Sequence, residues 1–355
     1  MDFKTKAGML EYLEKRVKHS KILPQIKFIV EEWDAKKEDI VYKIKGFFGD
    51  KSVIIRSSSL KEDTAEESKA GHYCTVPDIS PNDASRLIKS IEKVKSSFGD
   101  KNKKNEIFIQ EYLKDVYISG VLFTRDIVTL APYYIVNFDE ISSKTNTVTS
   151  GTSNKLKTLI KYRKYGTKDD RFKNLFKAVE EIESILKSDC LDIEFLIRQD
   201  KQVYILQVRP IIIKNKGCVI DDLMFEEYLK RGYKKIKKLS SPHIYLYGDT
   251  TLFGIMPDWN PAEMIGIKPK RLAESLYKEL ITDRIWAYQR DNYGYRNLRS
   301  FPLIKTFLGT PFVDVRVDFN SFIPKQLSGS ASRKLVDYYI NKLSKVHQVF
   351  FNYAL

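Results

Sequence analysis

The segment from residue 191 to residue 210 constrains the fold of this chain more than any other. Two apolar runs, 191–197 and 203–210, flank a short polar turn, which is the pattern of a β-hairpin. Polar residues recur at every second position of the two runs: Asp192, Glu194, Gln207 and Arg209. Because side chains alternate between the faces of a strand, all four can project from one face of the hairpin.

Charged side chains inside apolar strands are costly to bury unless they are paired or hold a ligand. One interpretation is therefore that this face meets a metal ion, a phosphate, or both. The other is a solvated face with a single Glu–Arg cross-strand pair. The hairpin by itself leaves both interpretations open.

Composition limits the classes of protein that fit. A chain of 355 residues favours two or three domains, and 43% apolar with 30% charged residues is typical of a globular protein. No apolar run approaches the 18 to 20 residues of a membrane span, and residues 1–16 lack the apolar core of a signal peptide. We therefore expect a cytoplasmic protein with no membrane partner.

The net charge of +15 raises the possibility of a nucleic-acid-binding protein. The lysines are scattered, however, and no zinc-finger spacing or other nucleic-acid-binding motif accompanies them. An anionic small substrate is the preferred explanation of the charge, and a basic nucleic-acid-binding protein is kept as the alternative from another class.

Apolar spacing divides the chain into three predicted domains, 1–105, 106–214 and 215–355. The first mixes helices near 9–17 and 84–94 with a buried strand at 52–55. The second is dominated by strands, and the third is predicted to be helical and rich in aromatic residues. Within the second domain we expect strands at 107–113, 119–124 and 132–138 and a helix at 172–187 before the hairpin.

A candidate anion site follows the strand at 52–55. Arg56 is followed by three serines, 57–59, and by a Ser-x-x-Gly turn that ends at Gly71. A guanidinium with backbone N–H donors suits a phosphate. The alternative is structural: the serines cap a helix and Gly71 forms a turn.

A second candidate segment leaves a strand at residues 110–113, with the sequence Gln110-Glu111-Tyr112-Leu113. Backbone at such a point can offer an N–H and a C=O to the edge of an adenine ring.

Taken together, these segments resemble the nucleotide-binding domain shared by phosphoenolpyruvate synthase, pyruvate phosphate dikinase and rifampin phosphotransferase. Five segments match that family's motifs in the family's order, over about residues 3 to 212: 6–13, 56–71, 110–113, 119–126 and 191–210. The resemblance implies an α+β fold of the ATP-grasp type, in which two α/β subdomains with antiparallel sheets enclose ATP. A mainly helical region follows.

The resemblance also implies roles for residues of this chain. Three would be catalytic contacts to phosphates: Lys6, Arg56 and Arg209. Two would form a turn that covers the nucleotide: Gly71 and His72. Three would hold adenine: Gln110, Glu111 and Leu113. Glu194 and Gln207 would bind Mg²⁺. The chain departs from the family in lacking a Gly-Gly pair before Lys6, and His72 stands where the family usually has Gln.

Residues 257–325 are dense in Trp, Tyr, Asn, Asp and Arg, which suits either a polar small-molecule site or a wet interdomain surface. This stretch resembles capsule-cluster proteins typified by bacterial L-glutamine kinase. That resemblance implies that ATP is converted to AMP and phosphate while the amide nitrogen of L-glutamine is phosphorylated, for capsular phosphoramidate synthesis. The runner-up enzymes are a phosphoenolpyruvate synthase-like and an antibiotic phosphotransferase.

The family's phosphohistidine carrier has no counterpart in this sequence. None of the four histidines has the family's sequence setting: His19, His72, His243 and His347. We therefore expect the carrier in a domain absent from this sequence.

Overall fold

The computed structural model describes residues 4–59, 74–98, 102–127, 129–140, 156–167, 169–211, 221–255 and 261–347. The chain divides into two compact units, Met1–Ile220 and Asp221–Leu355. The predicted domain boundaries at 105/106 and 214/215 stay predictions.

Helices and strands alternate irregularly in the first unit. Its helices are α1 (Lys6–Glu14), α2 (Val30–Ala35), α3 (Lys37–Phe48), α4 (Ala84–Ser96) and α5 (Lys173–Leu186). Its strands are β1 (Gln25–Ile29), β2 (Val53–Ser58), β3 (Thr75–Ile79), β4 (Glu106–Glu111), β5 (Val116–Phe123), β6 (Tyr133–Asp139), β7 (Lys157–Tyr162), β8 (Leu191–Arg198) and β9 (Val203–Pro210).

The strands of the first unit form two antiparallel sheets. The first sheet has the order β1-β4-β2-β3 and the second has the order β7-β6-β5-β8-β9. Every neighbouring pair of strands is antiparallel. The predicted α+β class with antiparallel sheets is therefore confirmed, and so is the hairpin at 191–210.

Each sheet has its own apolar core. α4 follows helical periodicity because Leu87, Ile91 and Val94 fall on one face, and all three are buried with β2 and β4 residues of the first sheet. α1 and α5 pack on the second sheet in a separate cluster. The predicted helices near 9–17, 84–94 and 172–187 correspond to α1, α4 and α5.

One glycine of the segment 119–126 is required by packing. A Cβ atom on Gly120 of β5 would lie 2.4 Å from the carbonyl oxygen of Asn137 and 2.9 Å from the ring of Phe195. No side chain fits at these distances, so glycine allows β5 to lie close to its neighbours.

The second unit is mainly helical, as predicted, and also contains a sheet that the sequence analysis did not predict. Its helices are α6 (Asp222–Leu239), α7 (Pro261–Ile265), α8 (Arg271–Tyr277), α9 (Ile285–Asn292), α10 (Val315–Asn320) and α11 (Gly329–His347). Its strands are β10 (Phe253–Gly254), β11 (Ile304–Phe307) and β12 (Thr310–Asp314), in the order β10-β12-β11.

Within the described ranges, every helix is too short or too polar to span a bilayer.

Candidate functional site

The β8–β9 hairpin places its polar residues opposite one another. Asp192 lies opposite Arg209, and Glu194 lies opposite Gln207. The register then shifts by one residue, because Phe195 pairs with Ile205, and Leu206 is left as an extra residue in β9. The other face of the hairpin is buried in the core of the second sheet through Ile193, Phe195, Ile197, Val203, Ile205 and Val208. The bulge therefore keeps both Leu206 and Gln207 on the polar face.

Arg209 forms an ion pair across the hairpin. Its Nε donates a hydrogen bond of 2.7 Å to Oδ2 of Asp192, whose side chain is 8% exposed. The sequence interpretation of a Glu–Arg pair is thus wrong in its acidic partner, because the register places Asp192 opposite Arg209. A phosphate bound at Arg209 would have to share the guanidinium with Asp192.

Arg56 connects the first sheet to this hairpin. Its Nη1 donates a hydrogen bond of 3.3 Å to the carbonyl oxygen of Leu206, the extra residue of the bulge. Within the described residues the buried Nε of Arg56 has no hydrogen-bond partner. Burial lowers the pKa of Arg56, and the negative charge of Glu194 opposes that shift. The guanidinium therefore lies near the carboxylate of Glu194, and its Nε has donor capacity to spare.

The first turn of α1 is hydrogen-bonded to β2, the strand that carries Arg56. Ser58 Oγ accepts a hydrogen bond of 3.1 Å from the backbone N–H of Ala7, and Thr5 caps the helix by accepting from Gly8 N–H. Arg56 and Ser58 are two positions apart in β2 and therefore share a face. Lys6, the first residue of α1, is thereby brought to the end of β2 that carries Arg56.

A cleft lies between the two sheets of the first unit. Its walls come from both sheets and are mostly apolar: Leu23, Ile54, Arg56, Gln110, Glu111, Tyr112, Leu113, Leu196 and Leu206. The space between the walls, including the part open to solvent, is about 260 Å³.

The segment at 110–113 forms one wall of the cleft, and its side chains are already engaged. Gln110 Nε2 donates to the carbonyl oxygen of Leu23 at 3.0 Å, and Glu111 accepts from Lys51 Nζ at 2.8 Å. The N–H of Tyr112 donates to Ser52 O at 2.7 Å. In the described part of the chain, Leu113 N–H makes no hydrogen bond. The side chains of Gln110 and Glu111 are thus engaged elsewhere, and the group that this segment has available for a ring is the backbone N–H of Leu113.

Glu194 and Gln207 are the predicted Mg²⁺ ligands. Gln207 is 4% exposed, and the described residues supply no hydrogen-bond partner for its buried Nε2. Because the two ends of an amide are assigned rather than observed, the opposite orientation would place Oε1 at that position. Nowhere in the described ranges do three or more His, Cys, Asp or Glu side chains gather as metal ligands. Two oxygen ligands fit Mg²⁺, which keeps several waters and binds substrate phosphates.

Two predicted site residues have no structural outcome. Gly71 and His72 lie outside the described residues.

The segment 119–126 holds the hairpin in place. Thr124 Oγ1 accepts from the N–H of Leu191 at 2.7 Å and donates to Asp189 O at 2.6 Å. Arg125 Nε donates to the Asp189 carboxylate at 3.0 Å. These bonds fix the start of β8 at Leu191, one residue before Asp192.

Sequence analysis named Ser58 among serines 57–59 and gave helix capping as the structural alternative, but it did not identify its partner, the N–H of Ala7 in α1. It missed the Leu206 carbonyl. A bulge is a property of the register between two strands, and no single segment encodes it.

In the second unit, polar residues from the stretch 257–325 are buried and bonded to backbone. The Arg316 guanidinium donates to the carbonyl oxygens of Leu239 and Ser241 at 2.7 and 2.8 Å. Asn320 accepts from Tyr247 N–H at 2.9 Å and donates to Tyr247 O at 2.8 Å. Arg316 and Asn320 therefore hold the segment after α6 inside this unit.

Comparisons with known proteins give weak likenesses. No family model matches the chain, and no curated protein matches it. A D-alanine–D-alanine ligase from Helicobacter pylori is similar with 12% identity and a TM-score of 0.34, over 64% of this chain and 56% of the ligase. N5-carboxyaminoimidazole synthetase from Staphylococcus aureus gives 15% identity and a TM-score of 0.34, over 58% of this chain and 43% of the synthetase.

A third similar structure is a RimK domain protein, described as ATP-grasp, from Sphaerobacter thermophilus. It gives 11% identity and a TM-score of 0.32, over 63% of this chain and 62% of that protein. The chain thus spans less than two thirds of each of these proteins. Likenesses at this level do not establish a family.

Proposed function

We propose that the first unit is an ATP-grasp-type domain that binds Mg·ATP in the cleft between its two sheets and catalyses phosphoryl transfer. One observation carries the proposal. Three segments far apart in sequence meet at this cleft: Arg56 on β2, the backbone at 110–113, and the polar face of the β8–β9 hairpin. Arg56 lines the cleft, and Gln207 follows the lining residue Leu206. Arg56 Nε and Gln207 Nε2 are buried, and neither has a partner within the described residues. Buried polar atoms without partners call for an explanation, and a bound ligand provides one.

Different residues would bind the adenine ring, the phosphates and the Mg²⁺ ion. The adenine ring enters the cleft and meets the N–H of Leu113. Lys6 and Arg56 contact the phosphates, and Arg209 joins them while it remains paired with Asp192. Mg²⁺ at Glu194 and Gln207 would offset the charge of the phosphate oxygens when bound. Fixed positive charges and a held geometry would supply most of the rate enhancement.

We further propose the acceptor and the type of reaction, which rest on the sequence resemblance. ATP, water and L-glutamine would give AMP, phosphate and the phosphorylated amide of glutamine. A phosphohistidine on a separate domain would carry the phosphoryl group between the nucleotide and the acceptor. A cytoplasmic location belongs to the same proposal.

One set of parallel reactions tests both the nucleotide site and the proposed reaction. The protein is incubated with ATP, Mg²⁺ and, in parallel, L-glutamine, pyruvate or no acceptor, and the products are followed by phosphorus NMR. If a carrier domain is needed, it is supplied as a separate protein. AMP with a phosphoramidate signal in the glutamine sample supports the full proposal. ADP as the sole nucleotide product contradicts the dikinase reaction but keeps phosphoryl transfer. The absence of any ATP binding contradicts the proposed site itself.

A further inference from the structure

A π-helical turn interrupts the second unit between α8 and α9. It spans Lys278–Thr282, and the N–H of Asp283 donates to the carbonyl oxygen of Lys278 at 2.8 Å, five residues earlier. Such a turn is wider than an α-helical one, so residues five apart come onto the same face. Tyr277 and Thr282 are related in this way, and Trp286 follows four residues later. π-turns are rare and occur frequently at functional sites.

Residues in and beside this turn, and at the start of α9, bury polar atoms that make no hydrogen bond within the described residues. Tyr277, Thr282 and Trp286 are 5%, 0% and 2% exposed. Among the described residues, no hydrogen-bond partner exists for Tyr277 OH, Thr282 Oγ1, Trp286 Nε1 or the buried Oδ1 of Asp283. Buried polar side chains nearly always have a partner, and here four lack one within ten consecutive residues.

Charged side chains lie near the π-helical turn. The N–H of Leu303 donates to Thr282 O at 3.0 Å, which places the start of β11 against the π-turn. Lys305 of β11 is half-buried; burial lowers its pKa, and the negative charges of Asp314 and Asp283 oppose that shift. The cluster therefore offers an ammonium and an indole N–H as donors, a carboxylate as acceptor, and two hydroxyls that can serve either way.

We propose that Tyr277, Thr282, Asp283, Trp286 and Lys305 form a binding site for a small molecule that carries both a carboxylate and an N–H donor. The ligand's carboxylate accepts from Lys305 and the Trp286 indole, and its ammonium or amide group donates to Asp283. A simple anion would leave Asp283 unmatched, and a simple cation would leave Lys305 and the indole unmatched. The site lies entirely in the second unit and does not depend on nucleotide binding.

A binding screen on the full chain tests this proposal. The probes are the twenty standard L-amino acids, with succinate and putrescine as controls that carry only one sign of charge. We expect at least one amino acid to raise the unfolding midpoint and to bind in calorimetry, while neither control does so. Thr282→Val, which removes one hydroxyl with little change in shape, should weaken that binding about tenfold or more. Trp286→Phe removes the indole N–H together with the bulk of the second ring, and it should also weaken binding about tenfold or more. If no amino acid binds, or if both variants bind as well as wild type, the proposal is overturned.

A matched pair of threonines separates a ligand site from a structural water site. Thr251 is also buried in the second unit, but its hydroxyl donates to Asp314 at 2.6 Å and accepts from Arg316 N–H at 3.0 Å. Without ligand, Thr251→Val should lower the unfolding midpoint, whereas Thr282→Val should leave it unchanged or raise it. If Thr282→Val destabilises the ligand-free chain as Thr251→Val does, its hydroxyl has a structural partner and the proposal is overturned. Nucleotide binding has no part in either outcome.

Discussion

Two segments of this chain alternate apolar and polar residues in nearly the same way, and the structure uses them differently. The segment 192–209 forms the β8–β9 hairpin, whose polar face borders the cleft of the first unit. The segment 313–320 leaves β12 and becomes the helix α10, with Asp314 as the capping residue. Arg316 and Asn320 are then buried and bonded to backbone of residues 239–248.

The difference shows that alternation alone does not separate a binding face from an internal scaffold. Burial is similar in the two segments: Gln207 is 4% exposed and Arg316 is 3% exposed. The bonding differs. Both terminal nitrogens of Arg316 donate to backbone carbonyl groups, and only its Nε has no partner in the described part of the chain. The terminal amide nitrogen of Gln207 has no partner there at all. The bonding of the terminal side-chain nitrogens, rather than polarity, therefore distinguishes the candidate ligand site from the internal scaffold.

The largest change in the free energy of unfolding is expected for a substitution of Arg316. Arg316→Met should lower the free energy of unfolding of the second unit by about 3–5 kcal/mol, because the carbonyl groups of Leu239 and Ser241 would lose their donors inside the protein. Denaturant unfolding measures the change. Arg333→Met is the control: Arg333 is 54% exposed and pairs with the exposed Asp249, so its loss should cost about 0.5 kcal/mol or less. A small effect at Arg316 would remove the contrast between the two segments.

Replacing one amide in each segment by leucine sharpens the same contrast. Asn320→Leu should destabilise the protein by about 2–4 kcal/mol, because Tyr247 N–H and C=O would both lose their partner. Gln207→Leu should change the unfolding free energy by no more than about 0.5 kcal/mol and should weaken Mg·ATP binding about tenfold. Equal destabilisation by the two substitutions would show that Gln207 is also structural.

The pH dependence of stability tests the buried acid of the second segment. Burial raises the pKa of Asp314, and the hydrogen bond from Thr251 and the charges of Lys305 and Arg316 only partly oppose it. The folded state therefore holds this proton more tightly than the unfolded state. The stability that the group contributes is present below its unfolded pKa, about 4, and is lost as the pH rises through the higher folded pKa.

Asp314→Asn removes this titration while an amide oxygen can still accept from Thr251. The difference in unfolding free energy, wild type minus variant, should therefore fall as the pH rises from about 4, by about 1.4 kcal/mol for each unit by which the pKa is raised. Chemical denaturation across that pH range gives the difference. A difference that stays constant, or that grows with pH, contradicts the assignment.

The smallest change in stability and in Mg·ATP affinity is expected for a substitution of Glu111 in the cleft wall. Glu111→Gln breaks a partly exposed ion pair with Lys51, which should cost about 0.5 kcal/mol or less. Because the proposed contact to adenine comes from backbone, Mg·ATP affinity should stay within about twofold of wild type in a titration. A tenfold loss would instead assign the Glu111 side chain to the nucleotide.

Local patterns predicted much of the first unit. The two strands of the hairpin and the helix α4 followed from period-two and helical spacing, because each buries one regular face. β3 was not predicted, since it contains Pro77 and a residue with positive φ, Asp78, and lies at the edge of its sheet. The β11–β12 hairpin was missed because its turn has Leu308 and Gly309 at positive φ, and leucine rarely adopts that conformation.

The contacts of the candidate site depended on longer-range structure. The sequence motifs identified Arg56 and the 110–113 segment, but the Leu206 carbonyl that accepts from Arg56 exists as a free acceptor only because of the bulge. Likewise, the partners of Arg316 are backbone groups 75 and 77 residues away, which carry no side-chain signal. Backbone acceptors brought together by tertiary structure are invisible to motif analysis.

The central claim, that the cleft of the first unit binds Mg·ATP through Arg56, is tested most directly by calorimetric titration of Mg·ATP into wild type, Arg56→Met and Arg198→Met. Arg198 lies in the same hairpin and forms an exposed ion pair with Asp115 at 3.3 Å, so it serves as the control. We predict that Arg56→Met weakens binding about 100-fold or more, with an unchanged circular dichroism spectrum, because a charge-assisted contact to phosphate is lost. Arg198→Met should bind like wild type. Wild-type affinity in folded Arg56→Met would contradict the account.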